Sequence, residues 1–282
     1  MLASGYKSRF RRIVPFVNWA GGKSQLLPEM EPYFPKNNRF SRYVEPFLGG
    51  GATFFALQPR CALLGDSNEE LINCYKAIRD NVESVIQLLS RYDNSREHYY
   101  AVRQLNPESM EPITRAARLI YLNKTCYNGV YRVNLNGKFN VPYGNRNAKI
   151  YDADNLRRIS SILKGVDIVA EGYDKTLEKC STGDFVYLDP PYNPLSKTAN
   201  FTKYTKQPFD NDDQLNLSSY FARLTILGCK VMLSNSDTSL IRQLYSDYHI
   251  IVLSARRYVN SDPNGRKAIS ELLILNYDPS ND

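Results

Sequence analysis

Short apolar runs ending in glycine, aspartate or proline alternate along this chain with stretches whose apolar residues recur every three to four positions. That is the pattern of strands alternating with helices. The run Tyr43-Val44-Glu45-Pro46-Phe47 predicts a first strand, after which Gly49-Gly50-Gly51 opens into a short helix at Ala52. Cys61-Ala62-Leu63-Leu64 predicts a second strand ending at Asp66. Beyond it Leu71, Tyr75, Ile78, Val82 and Leu89 keep helical spacing, and Ser67 with Glu70 has the S-x-x-E form of a capping box. A helix over 156–163, a strand over 166–169, the apolar run Phe185-Val186-Tyr187-Leu188, a helix from Asp210 and a strand over 230–234 continue the alternation. Two β-like runs, 249–253 and 269–275, close the chain. Their connection is too short for a crossover helix, so they must pair antiparallel if they pair at all. The expected fold is α/β: a mostly parallel sheet covered on both faces, with an antiparallel strand at the C-terminal end.

Residues 69–151 fit this alternation poorly. Charged, tyrosine-rich helical stretches lead to Cys126 and then to a β-hairpin, expected to turn tightly on the two residues Asn136-Gly137. This part is read as an inserted, mainly helical lobe, leaving 1–68 and 152–282 to build the α/β domain. Within the hairpin Val130, Arg132 and Asn134 alternate with Tyr131, Val133 and Leu135, giving one partly polar and one apolar face. Arg and Asn side chains on such a face can read guanine and adenine edges.

Charge sharpens the picture. Lys and Arg total 36 against 29 Asp and Glu, a net +7, which favours a polyanionic partner without excluding a merely basic surface. Lys7, Arg9, Arg11 and Arg12 form a basic arm with no apolar segment behind it, unlike a secretory signal. No apolar run approaches the roughly 18 residues that span a bilayer, so no membrane association is expected. Five cysteines (Cys61, Cys74, Cys126, Cys180 and Cys229), odd in number and without a C-x-x-C, suggest reduced thiols in a cytosol-like compartment. With only His98 and His249 present, a histidine-rich metal site or a Ser-His-Asp triad has little to draw on, and no metal is expected.

The chemistry concentrates in Asp189-Pro190-Pro191-Tyr192, directly after the strand-like run 185–188. Consecutive prolines lack backbone donors and have a fixed φ, so their carbonyls and the flanking side chains stand as rigid acceptors. The cluster suits gripping the exocyclic amine of a planar base while the ring lies on Tyr192. Acceptors aimed at the two amine hydrogens draw the nitrogen lone pair out of conjugation and stabilise the charge that develops as it attacks. A strand ending in a proline-rich turn, with Asp189 as a cap, is the bland alternative. Pro46, Phe47, Gly49 and Gly51 lie at the carboxyl end of the first strand, where open α/β sheets bind ligands. Asp66, ending the second, is placed to accept ribose hydroxyls. Together they favour an adenosyl-type cofactor. Gly21-Gly22-Lys23-Ser24 ends like a phosphate loop, but position 17 is Val where such a loop needs Gly, which excludes that reading.

In motif order, and over nearly the whole chain from Phe16 to about Leu275, the sequence resembles the DNA adenine methylase family, the GATC-type amino-methyltransferases that use S-adenosylmethionine. The resemblance is carried by Phe16-Val17-Asn18-Trp19-Ala20-Gly21-Gly22-Lys23, Pro46 to Gly51, Asp66, Tyr127-Asn128-Gly129 through Asn140-Val141-Pro142-Tyr143-Gly144, and Asp189 to Tyr192. Leu195-Ser196 through Ala199-Asn200-Phe201 and Leu233-Ser234-Asn235 recur as well. It implies a Rossmann-like methyltransferase sheet carrying an inserted DNA-recognition lobe. Trp19, Ala20, Gly21 and Lys23 are then expected to bind S-adenosyl-L-methionine, with Pro46, Phe47, Gly49, Gly51, Asp66 and Tyr173. Asp189, between cofactor and base, would hold the adenine amine with the Pro190 carbonyl. Pro191 completes the motif, and the methyl passes directly from sulfonium to nitrogen. The partner implied is double-stranded DNA, with a monomer in solution. Tyr127, Asn128, Arg132, Asn134 and Pro142 are the expected contacts, Tyr127 filling the gap left by an extruded base. Asn18 is a further contact, and Arg256, Arg257, Arg266 and Lys267 are expected at phosphates. The run 197–206 reads as a loop closing over base and cofactor.

Two positions depart from the family pattern. Asn18 stands where the enterobacterial members carry a lysine that touches a target guanine, and Gly172 where some members place an acid near the cofactor adenine. Two other readings stay open from the residues: methylation of a cytosine or RNA-base amine, and a non-catalytic DNA-binding protein on the same fold.

Overall fold

The computed structural model describes residues 13–36, 39–134, 136–145, 149–192, 209–255 and 269–280. Arg256, Arg257, Arg266, Lys267, the run 197–206 and the basic arm at 7–12 lie outside the described residues.

Seven strands form one sheet: β1 (Tyr43–Glu45), β2 (Ala62–Asp66), β3 (Asp167–Ala170), β4 (Phe185–Leu188), β5 (Lys230–Ser236), β6 (His249–Ala255) and β7 (Ile269–Leu275). Their order is β3-β2-β1-β4-β5-β7-β6. The first five pair parallel. β7 inserts between β5 and β6 and runs antiparallel to both, as its short connection to β6 requires for that pair. Nine helices accompany the sheet among the described residues: α1 (Leu27–Met30), α2 (Ala52–Leu57), α3 (Glu69–Leu89), α4 (Arg96–Gln104), α5 (Pro112–Thr125), α6 (Ala153–Leu163), α7 (Tyr173–Leu177), α8 (Asn211–Leu227) and α9 (Ser239–Leu244).

Both faces of the sheet are covered, which explains why its strands read as continuous apolar runs rather than alternating ones. In β4 all four residues are buried. Phe185 and Tyr187 enter a cluster shared with α2, α3, α5 and α6, while Val186 and Leu188 enter a second one with α8 and α9. The first cluster is continuous from the sheet into Ala116, Ile120, Tyr131 and Phe139, so residues 69–151 share apolar packing with the strands. α3 itself touches β2, β3, α5 and α6. Arg118, buried on α5, donates to the carbonyls of Val102 and Arg103 at the end of α4.

Local chemistry departs from expectation at two places. α3 is capped not by Ser67 but by Asn68, whose side chain accepts from the Leu71 amide at 3.0 Å. Glu70 is drawn away from a capping box by its ion pair with Arg115. The hairpin turn is also wider than two residues. The amide of Asn134 donates to Lys138 O and that of Gly137 to Asn134 O, both at 2.9 Å, with Gly137 at φ +73°. Asn136-Gly137 thus closes a three-residue loop ending in a left-handed glycine, the other common way to join twisted strands. Among the described residues, pairing across it comprises the bridges Val133–Phe139 and Cys126–Tyr143 with a few backbone hydrogen bonds such as Asn140 N to Arg132 O, rather than a continuous ladder. The apolar face is anchored instead, Tyr99 O–H and Arg103 Nη1 both donating to Val141 O.

Candidate active site

Strand order reverses between β1 and β4, and in open α/β sheets the crevice beyond the carboxyl ends at this point is the ligand site. β1 delivers the turn 46–51 there. Gly49 and Gly51 have φ of +48° and +68°. A Cβ at Gly49 would lie 2.9 Å from Trp19 Cδ1, so the turn keeps its backbone bare against that ring. Tyr75 O–H donates to Gly49 O at 3.0 Å. β2 brings Asp66, whose carboxylate accepts the amides of Gly49 and Asn68, each at 2.9 Å. Burial pushes its pKa up, opposed by those two amides. Phe47 and Tyr173 stack with centroids 5.2 Å apart, and Asn216 donates to the Tyr173 hydroxyl. Trp19 stacks on Tyr131 of the hairpin at 5.0 Å.

β4 ends at Asp189. The Lys23 ammonium, 4% exposed, donates to Asp189 Oδ1 at 2.6 Å and to Gly21 O at 2.8 Å. It also lies 3.4 Å from Glu271 Oε1 and 4.7 Å from the centre of the Tyr192 ring. Tyr192 O–H donates to Glu271. Pro190 is buried, and Pro191 O accepts Gln214 Nε2 at 3.4 Å. Gln214 in turn accepts from Asn235 at the end of β5. Burial raises the Asp189 carboxyl to about 6, the Glu271 charge adding to the rise and Lys23 opposing it. Asp189 is therefore mainly ionised at neutral pH and able to accept. Glu45, buried beneath and accepting from Tyr43 O–H at 2.9 Å, is pushed well above the usual carboxylate range by burial.

The second group of expected residues gathers around the hairpin. Tyr127 is 56% exposed, with its amide held by Pro142 O at 2.8 Å. Asn128 and Gly129 have φ of +57° and +63°. Asn18 is exposed, and its backbone is clasped by the buried Asn123, whose Oδ1 accepts Asn18 N at 2.7 Å while Nδ2 donates to Asn18 O at 2.9 Å. Lys124 reaches Asn18 Oδ1 at 3.5 Å. Arg132 is exposed, with Nε on Asn140 Oδ1 at 2.7 Å. Asn134 Oδ1 accepts the amides of Asn136 and Lys138, so this oxygen serves the turn.

Two residues that sequence reasoning passed over complete the arrangement. Asn123 joins the Asn18 and Tyr127 turns, for which one asparagine in an apolar helix was a faint signal. Glu271, a buried carboxylate at the head of the apolar run Glu271-Leu272-Leu273-Ile274-Leu275, was a stronger one.

The topology and the crevice at its switch point are those of a Rossmann-like methyltransferase. The model of the D12 class N6 adenine-specific DNA methyltransferases matches residues 19–259. The chain is 41% identical to the type II methyltransferase M.MjaIII of Methanocaldococcus jannaschii, covering 94% of this chain and 99% of that one. It is 36% identical to the DNA adenine methylase of Serratia marcescens, covering 92% and 97%. A solved structure described as a conserved hypothetical protein of Streptococcus pyogenes superposes with a TM-score of 0.38 at 13% identity over 91% of this chain and 96% of that one, too distant a likeness to bear on fold or function. The chain belongs to the D12 class of N6 adenine-specific DNA methyltransferases, and is thus an enzyme that methylates adenine in DNA.

Such a family implies S-adenosylmethionine as methyl donor, and the residues at the switch point fit it. They offer a bare glycine backbone, an anchored carboxylate for hydroxyls and a stacked aromatic pair. Among the described residues no helix is long and apolar enough to cross a membrane, and no group of three or more His, Cys, Asp or Glu could hold a metal ion.

Proposed function

We propose that this enzyme binds S-adenosylmethionine at the β1/β4 crevice, extrudes an adenine from duplex DNA within GATC, and methylates its 6-amino group at Asp189-Pro190-Pro191-Tyr192. When bound, the cofactor supplies an electrophilic methyl group on a sulfonium. Asp66 holds the ribose hydroxyls with the two oxygens that the Gly49 and Asn68 amides orient. Trp19, Ala20 and Gly21 take the methionine portion, and Lys23, its ammonium held on Asp189, borders it. Pro46, Phe47, Gly49 and Gly51 wall the pocket, and Tyr173 extends its aromatic lining. Asp189 and the Pro190 carbonyl accept the two amine hydrogens, Pro191 keeps the turn rigid, and Tyr192 stacks on the ring. No covalent enzyme intermediate is needed. The observation that carries this reading is the contact of Asp189 with the buried Lys23 ammonium, at the switch point and one strand from the glycine turn.

Residues 69–151 act as the DNA-recognition lobe on the catalytic part formed by 1–68 and 152–282. Exposed Tyr127 fills the gap left by the extruded base, flanked by Asn128 and Pro142. Arg132, with Asn134 behind it, addresses a base edge in the major groove. Asn18 meets DNA beside Lys124, and Arg256, Arg266 and Lys267 meet phosphates. GATC as the site is supported by the motif likeness to the GATC-type family, while the relative named DNA adenine methylase supports adenine as the base. DNA from cells expressing the protein, cut with nucleases that differ in their response to methylated GATC, tests the reading. Cleavage identical to that of DNA from cells lacking the protein would overturn it.

A further inference from the structure

Glu271 is 4% exposed, lies outside every motif named above and touches two residues of the proposed site, Tyr192 and Lys23. We propose that Glu271 is a positioning residue for methyl transfer, fixing from β7 both the Tyr192 ring and the Lys23 ammonium that frame Asp189. The inference rests on the reading of Asp189 as acceptor of the adenine amine.

Topology puts the carboxylate there. Because β7 runs antiparallel between β5 and β6, its first residues reach the sheet edge where β4 and β5 end, with Glu271 opposite Ser236 and Leu253. A carboxylate buried to this extent is costly unless hydrogen-bonded or paired. Its partners are Tyr192 O–H and Lys23 Nζ. Lys23 has three donor hydrogens, and three oxygens surround them: Gly21 O, Asp189 Oδ1 and Glu271 Oε1. A four-carbon side chain is flexible, and three acceptors define one place for its ammonium. Tyr192 is fixed at both ends, by its backbone after two prolines and by its hydroxyl on Glu271. Removing Glu271 frees the ring and one leg of the ammonium together.

Among the described residues, the charged and titratable groups around Asp189 are Lys23 from the N-terminal turn, Glu271 from β7, Tyr192 on its own loop, Tyr187 on β4, and Glu45 and Tyr43 on β1. Lys23 is the cation and Glu271 the second anion of the hydrogen-bonded cluster. Glu271→Gln keeps the shape and an acceptor for Tyr192 but removes a negative charge that raises Asp189.

The test measures kcat/KM against pH from 5 to 9, together with single-turnover rates, on a GATC duplex. In Glu271→Gln the acid limb moves down by about one pH unit, in the sense a removed like charge requires. In Glu271→Ala the single-turnover rate falls about 10- to 100-fold, the scale of a misplaced reacting group. Tyr192→Phe lowers the rate in the parent but adds nothing in Glu271→Ala, because the hydroxyl then has no anchor to lose. An unmoved acid limb in Glu271→Gln, or an equal cost of Tyr192→Phe in both backgrounds, overturns the role of Glu271. So does a Gln variant that cannot fold, since the role would then be structural. A parent enzyme that leaves adenine unmethylated overturns the function itself, a result distinct from an active parent with unaffected variants.

Discussion

Replacing Lys23 by Met should move the acid limb of activity in the opposite direction. Lys23 donates to Asp189 at 2.6 Å, with side-chain exposures of 4% and 18%, so solvent screens this pair little. An adjacent cation lowers an aspartate pKa by about 1–3 units, equivalent to roughly 1.4–4 kcal/mol favouring the ionised form. In the native enzyme that effect holds Asp189 at about 6 against burial and Glu271. Without it the carboxyl rises, and the ionised acceptor is lost at higher pH. Asp189 is almost wholly ionised at pH 7.5 in the parent, whereas in Lys23→Met the ionised share falls to between roughly three-quarters and a few per cent. The rate at pH 7.5 drops by up to about 30-fold on this ground alone and recovers towards pH 9.5. Initial rates of methyl transfer to a GATC duplex, at saturating S-adenosylmethionine over pH 5.5–9.5, give the profile. A Lys23→Met enzyme whose rate falls equally at every pH, its acid limb still near 6, would refute the link between this ammonium and Asp189.

Asp189→Ala should leave cofactor and DNA binding measurable by calorimetry while lowering single-turnover rates at least about 10²-fold, the scale for one preorganised polar contact. Near-normal turnover would remove Asp189 from the chemistry. Gly49→Ala, at φ +48° with its Cβ 2.9 Å from Trp19, should displace that ring and weaken S-adenosylmethionine binding by about 10-fold or more with DNA affinity intact. Equal cofactor affinity in the variant would show that the turn has room to spare. Arg132→Ala should relax discrimination at one base position by about 1–3 kcal/mol in competition between single-substituted duplexes. A uniform loss on all sequences, with the log–log salt slope reduced by about 0.9, would make Arg132 a phosphate contact instead.

Features written in a few adjacent residues are legible in the sequence. β4 is a fully buried strand because four apolar residues occur together, and the tetrapeptide after it marks the proposed site. The glycine turn and Asp66 were readable in the same way, each at a strand end, where the chain must turn and ligands approach. Cap and turn choices were less legible because near-equivalent neighbours compete. Ser67 and Asn68 are both good caps, and Asn68 prevails as Arg115 takes Glu70. Asn136-Gly137 fits two loop lengths, and here Asn134 accepts the amides that settle the longer one. Least legible was the cluster joining Lys23, Asp189, Tyr192 and Glu271. Its members come from the N-terminal turn, the end of β4 and the start of β7, and meet only because β7 inserts antiparallel beside β5. No local period encodes that encounter. A charged residue inside an apolar strand was its single trace.

The most direct measurement uses S-adenosylmethionine with a deuterated methyl group, offered with the enzyme to a GATC duplex, a scrambled duplex and a matched RNA. Each product is digested to nucleosides and read by mass spectrometry. The expected result is label on N6 of adenine in the GATC duplex, far less in the scrambled duplex and none in RNA, falling at least about 10²-fold in Asp189→Ala. Label on a cytosine amine or on RNA, equal labelling of both duplexes, or undiminished labelling by Asp189→Ala would contradict it.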